Sequence, residues 1–545
     1  MNSIMALSKL SKTTLSLSLA LALTACQTLP TETNPATVSS QQSEATFQFA
    51  HADYLTIQDA LAQGELSSAE LITHYLRQIE ANNQQGAQLR AVISLNPDAL
   101  NQAKMLDNER EQGNVRGPLH GIPVLLKDNI DTADGLANTA GSVLFAENYP
   151  EDDATLVTNL RKQGAIILGK ANLSEWANFR STRSSSGWSG VGGLARNPYD
   201  PTRSTCGSSA GSGAAVAADF TTFAVGTETD GSLVCPGAVN GIVSIKPTLG
   251  LISRDGIIPI SHSQDTAGPM ARTVAGAVTL MQAMASYDGS DSASFRSDTV
   301  LTDYLNEDGL KGKRIGVVRN LMGYNELLDQ QFEQQLDVLK AQGATLVDVE
   351  MPTYGEYGDA EFTVLLYEFK HDMAAYLATT NLPYRSMSDL IEANNRMADK
   401  ELPYFGQELF IMANNMTAAD ESRYLDALEK SKRLAGPEGI DKMLTEHDLD
   451  LLVAPTTGPS WKIDLVNGDH YAGSASSPAA VAGYPHITVP MGYIELPKQP
   501  KLPVGISFFS TANAEPVLIE AAYSYEQATQ HRQPPQLNIT ASHAN

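Results

Sequence analysis

The chain has 545 residues, 42% of them hydrophobic and 18% charged, with a formal net charge of −25. That composition is ordinary for a folded globular protein and excludes a disordered or fibrous one; at roughly 150 residues per domain it could hold several domains, although large α/β enzymes often exceed that as one unit. Nucleic-acid affinity comes mostly from lysine and arginine on phosphates, so a chain this acidic is a poor nucleic-acid binder and its charge reads as a solubilised surface.

In chain order the first element is an export signal. Lys9 and Lys12 precede an apolar run over 13–25 (TTLSLSLALALTA), too short for the roughly 20 residues that span a bilayer but matching a secretory signal peptide. Leu23-Thr24-Ala25-Cys26 resembles the bacterial lipobox, in which the cysteine becomes the lipid-modified N-terminus. Gln27 after it, rather than aspartate, favours the outer membrane in that resemblance. Residues 27–46 are rich in Thr, Ser, Pro and Gln and read as a flexible tether. The expectation is a lipoprotein signal peptide over 1–25, a lipid-attached tether from Cys26 to residue 46, and one domain over 47–545. It places the chain as an exported bacterial lipoprotein at the outer membrane, on the periplasmic side or the cell surface, touching membrane through its N-terminal lipid only.

The domain opens with a capping box, Ser67 with Glu70, followed by Leu71, Ile72, Tyr75, Leu76 and Ile79 at helical spacing. Val124-Leu125-Leu126 before Lys127 and Ala165–Leu168 before Gly169-Lys170 read as buried strands ending in functional loops. Residues 183–213 are crowded with Ser and Gly, and Ala214–Ala218 reads as a helix of small side chains that can pack close to other backbone. A strand–helix–strand pattern then covers 314–319, 330–340 and 344–349. Alternating strands and helices imply an α/β architecture. Cys206 and Cys235 make no disulfide framework; both flank candidate serines and a bridge stays open, but unpaired thiols are the expectation.

Four stretches carry chemistry: Gly117–Asn129 (GPLHGIPVLLKDN), Cys206–Gly213 (CGSSAGSG), Gly226–Ser232 (GTETDGS) and Asp265–Arg272 (DTAGPMAR). Alone, each glycine- and serine-rich run is as well explained by tight turns. Their order and spacing are similar to the amidase signature family over roughly residues 55–525. The two serines lie 24 residues apart (208 to 232), and Lys127 sits 81 residues before Ser208 within Lys127-Asp128-Asn129. The segment 226–272 most resembles the peptide amidase branch. Neither a nucleophilic-serine elbow with following aspartate and histidine at a plausible strand–turn–helix, nor an H-E-x-x-H zinc pair, is present.

The resemblance implies a large mixed sheet covered by helices on both faces, and Ser232 as nucleophile with Ser208 and Lys127 as its proton-handling partners. It implies a cis peptide at Ser208 and an oxyanion hole from the backbone N–H groups of Thr229, Asp230, Gly231 and Ser232. The residues agree with that chemistry. A serine hydroxyl is a poor nucleophile and needs a base, and a lysine can be that base only if burial lowers its pKa from the ordinary value of about 10.4. The apolar run Ile122–Leu126 supplies such burial. Gly231 allows close approach of backbone to substrate. Asp230 is expected to hold the loop, with substrate contact as the alternative, and Arg203 and Asp265 are candidates to brace the serine loops.

Trp176, Ala177 and Asn178, within a segment Glu175–Phe179, are expected to face substrate. Trp461, Tyr484 and Phe508 could line the acyl side, though core packing explains each equally well. The expected reaction is hydrolysis of carboxamides to acid and ammonia or amine, with C-terminal peptide amides as leading substrates. Fatty acid or aryl amides are the alternative on the same scaffold. A tRNA-dependent transamidase subunit is disfavoured by the signal segment and the charge, and a non-catalytic ligand-binding lipoprotein by the presence of all three catalytic residues. No cofactor, metal or obligate protein partner is expected.

Overall fold

The computed structural model describes residues 47–537; the proposed signal segment, tether and lipidation site Cys26 lie outside the described residues. The strands among them are β1 (Val92–Leu95), β2 (Pro123–Lys127), β3 (Ile166–Ala171), β4 (Trp188–Ser189), β5 (Gly193–Leu194), β6 (Phe223–Glu228), β7 (Val243–Lys246), β8 (Thr266–Ala271), β9 (Arg314–Val318), β10 (Thr345–Val349), β11 (Leu451–Pro455), β12 (His486–Ile494) and β13 (Leu502–Phe509). Eleven form one sheet in the order β1-β3-β2-β6-β8-β7-β12-β13-β11-β9-β10, while β4 and β5 pair separately.

The sheet is mixed. β3-β2-β6 and β11-β9-β10 are parallel, the strands running from β6 to β11 pair antiparallel, and β1 is antiparallel on β3. Parallel neighbours need crossovers, usually helical. Helix Thr155–Lys162 supplies one between β2 and β3, and helix Glu326–Ala341 another between β9 and β10. Strands β2, β3, β6, β7, β8, β11 and β13 are buried at every position. Side chains alternate faces along a strand, so this requires cover on both faces and explains why these strands read as continuous apolar runs.

The capping box forms: Ser67 Oγ accepts from the Glu70 N–H, and the Glu70 carboxylate accepts from the Ser67 N–H, at the start of helix Ser68–Asn82. Leu71, Ile72, Tyr75 and Ile79 are its buried stripe. The helix of small residues runs over Ala210–Ala217, fully buried. A Cβ at Gly211 would lie 2.2 Å from the Ala91 carbonyl oxygen, so only glycine permits this approach. One expectation fails locally. No loop follows Leu168; β3 continues to Ala171, and Lys170 is buried within it, donating to the Ile130 carbonyl. Among the described residues no helix is long and apolar enough to cross a membrane.

Candidate active site

Lys127 closes β2, where Val124, Leu125 and Leu126 lead it into the core, and it is wholly buried. Among the described residues its Nζ has three partners, none of them a carboxylate: Ser208 Oγ at 2.7 Å, Thr227 Oγ1 at 2.8 Å and the Thr227 carbonyl at 3.1 Å. Burial lowers its pKa to about 7 against the opposing pull of Asp265 and Glu228. A neutral amine has two N–H donors and one lone pair. With both donors spent on Thr227, the lone pair is left for the Ser208 hydroxyl. Thr227, on the adjacent parallel strand β6, is itself fixed: Asn129 Nδ2 donates to its hydroxyl at 3.0 Å, and Ser209 Oγ to its carbonyl at 3.0 Å.

Ser208 follows a cis Gly207–Ser208 peptide immediately before helix Ala210–Ala217. Its neighbour ties it to the second serine, because the Ser209 N–H donates to the Ser232 carbonyl at 3.1 Å. No hydrogen bond joins the Ser208 and Ser232 hydroxyls directly. Such contacts are commonly long before substrate arrives and tighten in the complex.

Ser232 sits in a turn between β6 and helix Val234–Val239. Glu228 forms that turn, its buried carboxylate accepting the N–H groups of Leu233 and Val234. The four preceding N–H groups, of Thr229, Asp230, Gly231 and Ser232, have no protein acceptor among the described residues. Gly231 has φ +76°, a left-handed conformation natural to glycine that bends successive N–H groups into an anion-accepting concavity. Asp265 braces the turn: it accepts from Thr229 Oγ1 at 2.5 Å and from the backbone N–H groups of Ile260 and Ser261. Asp230 accepts from Ser476 Oγ at 2.5 Å. Arg203 does not reach the serines, because Asp200, Ser460 and Gln499 engage its guanidinium.

Thr229 to Ser232 open into a cavity of about 820 Å³, within the size range of small-ligand sites. Ala177, Asn178 and Phe179 line it, but Trp176 does not. Residues 176–178 all have positive φ, and this turn sends the Trp176 ring, 2% exposed, into the core between Phe145 and Phe410. Trp461 packs beside Cys206 and Cys235 and donates from its indole N–H to Asp469 at 3.0 Å. Tyr484 bonds Asp441, away from the cavity, and Phe508 is core.

Three features escaped the sequence reading. Cys206 and Cys235, expected to be unpaired, are disulfide-bonded. Counting cysteines missed this because the fold, not the chain order, lays the loop before Ser208 against the helix after Ser232. Thr227 lies inside the motif but looks like any strand threonine. Glu361, on helix Gly358–Thr379, lines the cavity from a segment with no motif.

A buried amine facing one serine, a second serine on a turn of free N–H groups and an adjoining cavity can together move a proton, form an ester and stabilise an oxyanion. Comparison with known proteins agrees with that chemistry. A family model described as Amidase matches residues 70–519. A probable amidase of Arabidopsis thaliana is 40% identical over 90% of this chain and 92% of its own length. A putative amidase of the fungus Arthroderma benhamiae is 35% identical over 88% of this chain and 82% of its own. The native peptide amidase of Stenotrophomonas maltophilia superposes with a TM-score of 0.86 at 50% identity, covering 90% of this chain and all of that one. These relatives correct the expected location. Plant and fungal amidases that match nearly the whole chain are not bacterial outer-membrane lipoproteins, so the expectation of an exported lipoprotein at that membrane does not stand.

Two outcomes check this geometry. Peptide mapping after alkylation in denaturant should find Cys206 and Cys235 unmodified without reductant and both modified after reduction; modification of both without reductant contradicts the bridge. Thr227→Val should lower kcat at least about tenfold by releasing the Lys127 amine, with KM little changed and most activity kept by Thr227→Ser. Steady-state kinetics showing wild-type kcat for the valine variant would contradict its orienting role.

Proposed function

The chain belongs to the amidase signature family, and from that premise we propose that it hydrolyses the C-terminal carboxamides of peptides, through an acyl ester on Ser232. Family membership makes it a hydrolase acting on amides. The observation that carries the mechanism is the fully buried Lys127 amine 2.7 Å from Ser208 Oγ.

Neutral Lys127 accepts the Ser208 proton while Ser208 accepts the proton of Ser232, and Ser232 Oγ attacks the carboxamide carbon. The tetrahedral oxyanion takes up the free N–H groups of residues 229–232; each such donor is worth about 2.7–4 kcal/mol of the barrier in enzymes where one has been removed. The proton returns from Lys127 through Ser208 to the leaving nitrogen, the C–N bond breaks, and ammonia departs. Water then adds to the ester, its proton entering the same relay, and the C–O bond to Ser232 breaks as that proton returns to Ser232 Oγ, releasing the acid and the free serine.

The peptide preference is supported by half-identity to a peptide amidase over nine tenths of the chain. The cavity wall supports it too: Asp230, Glu361, Asp469 and several serines stand among its apolar residues, a poor lining for a long aliphatic chain. On a panel of peptide amides, fatty amides and anilides, peptide amides should be cleaved fastest with release of ammonia, and Ser232→Ala should lower the rate by roughly 10³ or more. A Ser232→Ala enzyme within tenfold of wild type defeats the nucleophile, and faster cleavage of fatty amides defeats the substrate class.

A further inference from the structure

The catalytic cavity carries a one-sided charge that the hydrolytic machinery does not use. Asp230, Glu361 and Asp469 line it, and no lysine, arginine or histidine does so among the described residues. The three come from separate parts of the chain and each is fixed. Asp230, next to Gly231-Ser232, accepts from Ser476 Oγ. Glu361 Oε1 accepts from Gln264 Nε2 at 3.1 Å, and the same amide reaches the Thr229 carbonyl at 3.3 Å; among the described residues Glu361 Oε2 has no donor. Asp469 accepts from the Ser186 N–H at 2.9 Å and from the Trp461 indole N–H at 3.0 Å.

Resting on the peptide-amide reading above, we propose that these carboxylates make the enzyme selective for peptide amides bearing a cationic side chain at or next to the residue whose carboxamide is cleaved, with Glu361 as the principal determinant. Gln264 links Glu361 to Thr229, the first residue of the oxyanion turn, and Glu361 lines the same cavity as Ser232. Opposite charges in a partly desolvated cavity interact more strongly than in water. Burial and the Asp230 charge push the Glu361 carboxyl up to about 8, so the empty pair holds a proton near neutrality. An entering ammonium or guanidinium favours its loss. The net charge of −25 adds a long-range pull on cationic peptides.

Matched N-acetyl dipeptide amides ending in arginine, in its uncharged isostere citrulline, and in glutamate test this by kcat/KM at about 20 mM and about 300 mM salt, on either side of strong screening. The arginine amide should exceed the citrulline amide by roughly tenfold or more, the glutamate amide should be the poorest, and the ratios should narrow at the higher salt. Within Glu361→Gln, and separately within Asp469→Asn, the arginine-to-citrulline ratio should fall severalfold; a ratio read inside each variant does not depend on its overall rate. An arginine-to-citrulline ratio near one in the wild type, or one unmoved in both variants, overturns the selectivity while leaving the peptide-amide reading intact. No ammonia from any of the three amides overturns that reading, and the selectivity with it.

Discussion

The site depends on burying an amine without giving it a counter-ion. Removal from water disfavours the charged form of a lysine, whereas a carboxylate in contact would restore it. Among the described residues Lys127 has hydroxyl and carbonyl partners only, and the acids that act on it, Asp265 and Glu228, accept from other donors. Asp265 accepts from Thr229, Ile260 and Ser261, and Glu228 from Leu233 and Val234. Their fields reach the amine but do not hold its proton, and it comes to rest near neutrality. Lys246, also wholly buried but raised by the charges of Glu228, Glu515 and Asp230, is lowered only to about 8.

The surrounding architecture keeps that amine dry and aimed. β2 is buried at every position and lies between β3 and β6 in a sheet covered on both faces. β6 supplies Thr227 to the amine and, a few residues on, the turn with Ser232. The loop carrying Ser208 is stitched to β6 by Ser209 and to the Ser232 helix by the Cys206–Cys235 bridge. Several short segments are cross-tied to one strand, so a shift of β6 would disturb Lys127, Ser208 and Ser232 together.

Much of this was legible as residue order. The capping box at Ser67 and the apolar run into Lys127 rest on local chemistry, and the structure forms both; the weight given to the spacing of the two serines came from the family resemblance. What was not legible depends on contacts across the fold. A threonine that orients an amine has the same letter as one that fills a strand. Glu361 is recruited to the cavity from a helix more than a hundred residues beyond Ser232. Trp176 turns inward because three successive residues adopt left-handed backbone, which its motif does not announce. The cysteine bridge depends on two loops meeting, and the expected location rested on a terminal segment that the relatives do not support.

The central claim is that Ser232 becomes nucleophilic through an uncharged Lys127. The most direct measurement is the pH dependence of Ser232 labelling by a fluorophosphonate in the wild type and in Lys127→Ala. A base that must be neutral is lost as pH falls through its pKa. The wild-type rate should therefore rise with pH through an apparent pKa near 7 and level above it, and Lys127→Ala should label slowly with that limb absent. A flat wild-type profile from about pH 5 to 9, or the same limb in Lys127→Ala, would contradict the account.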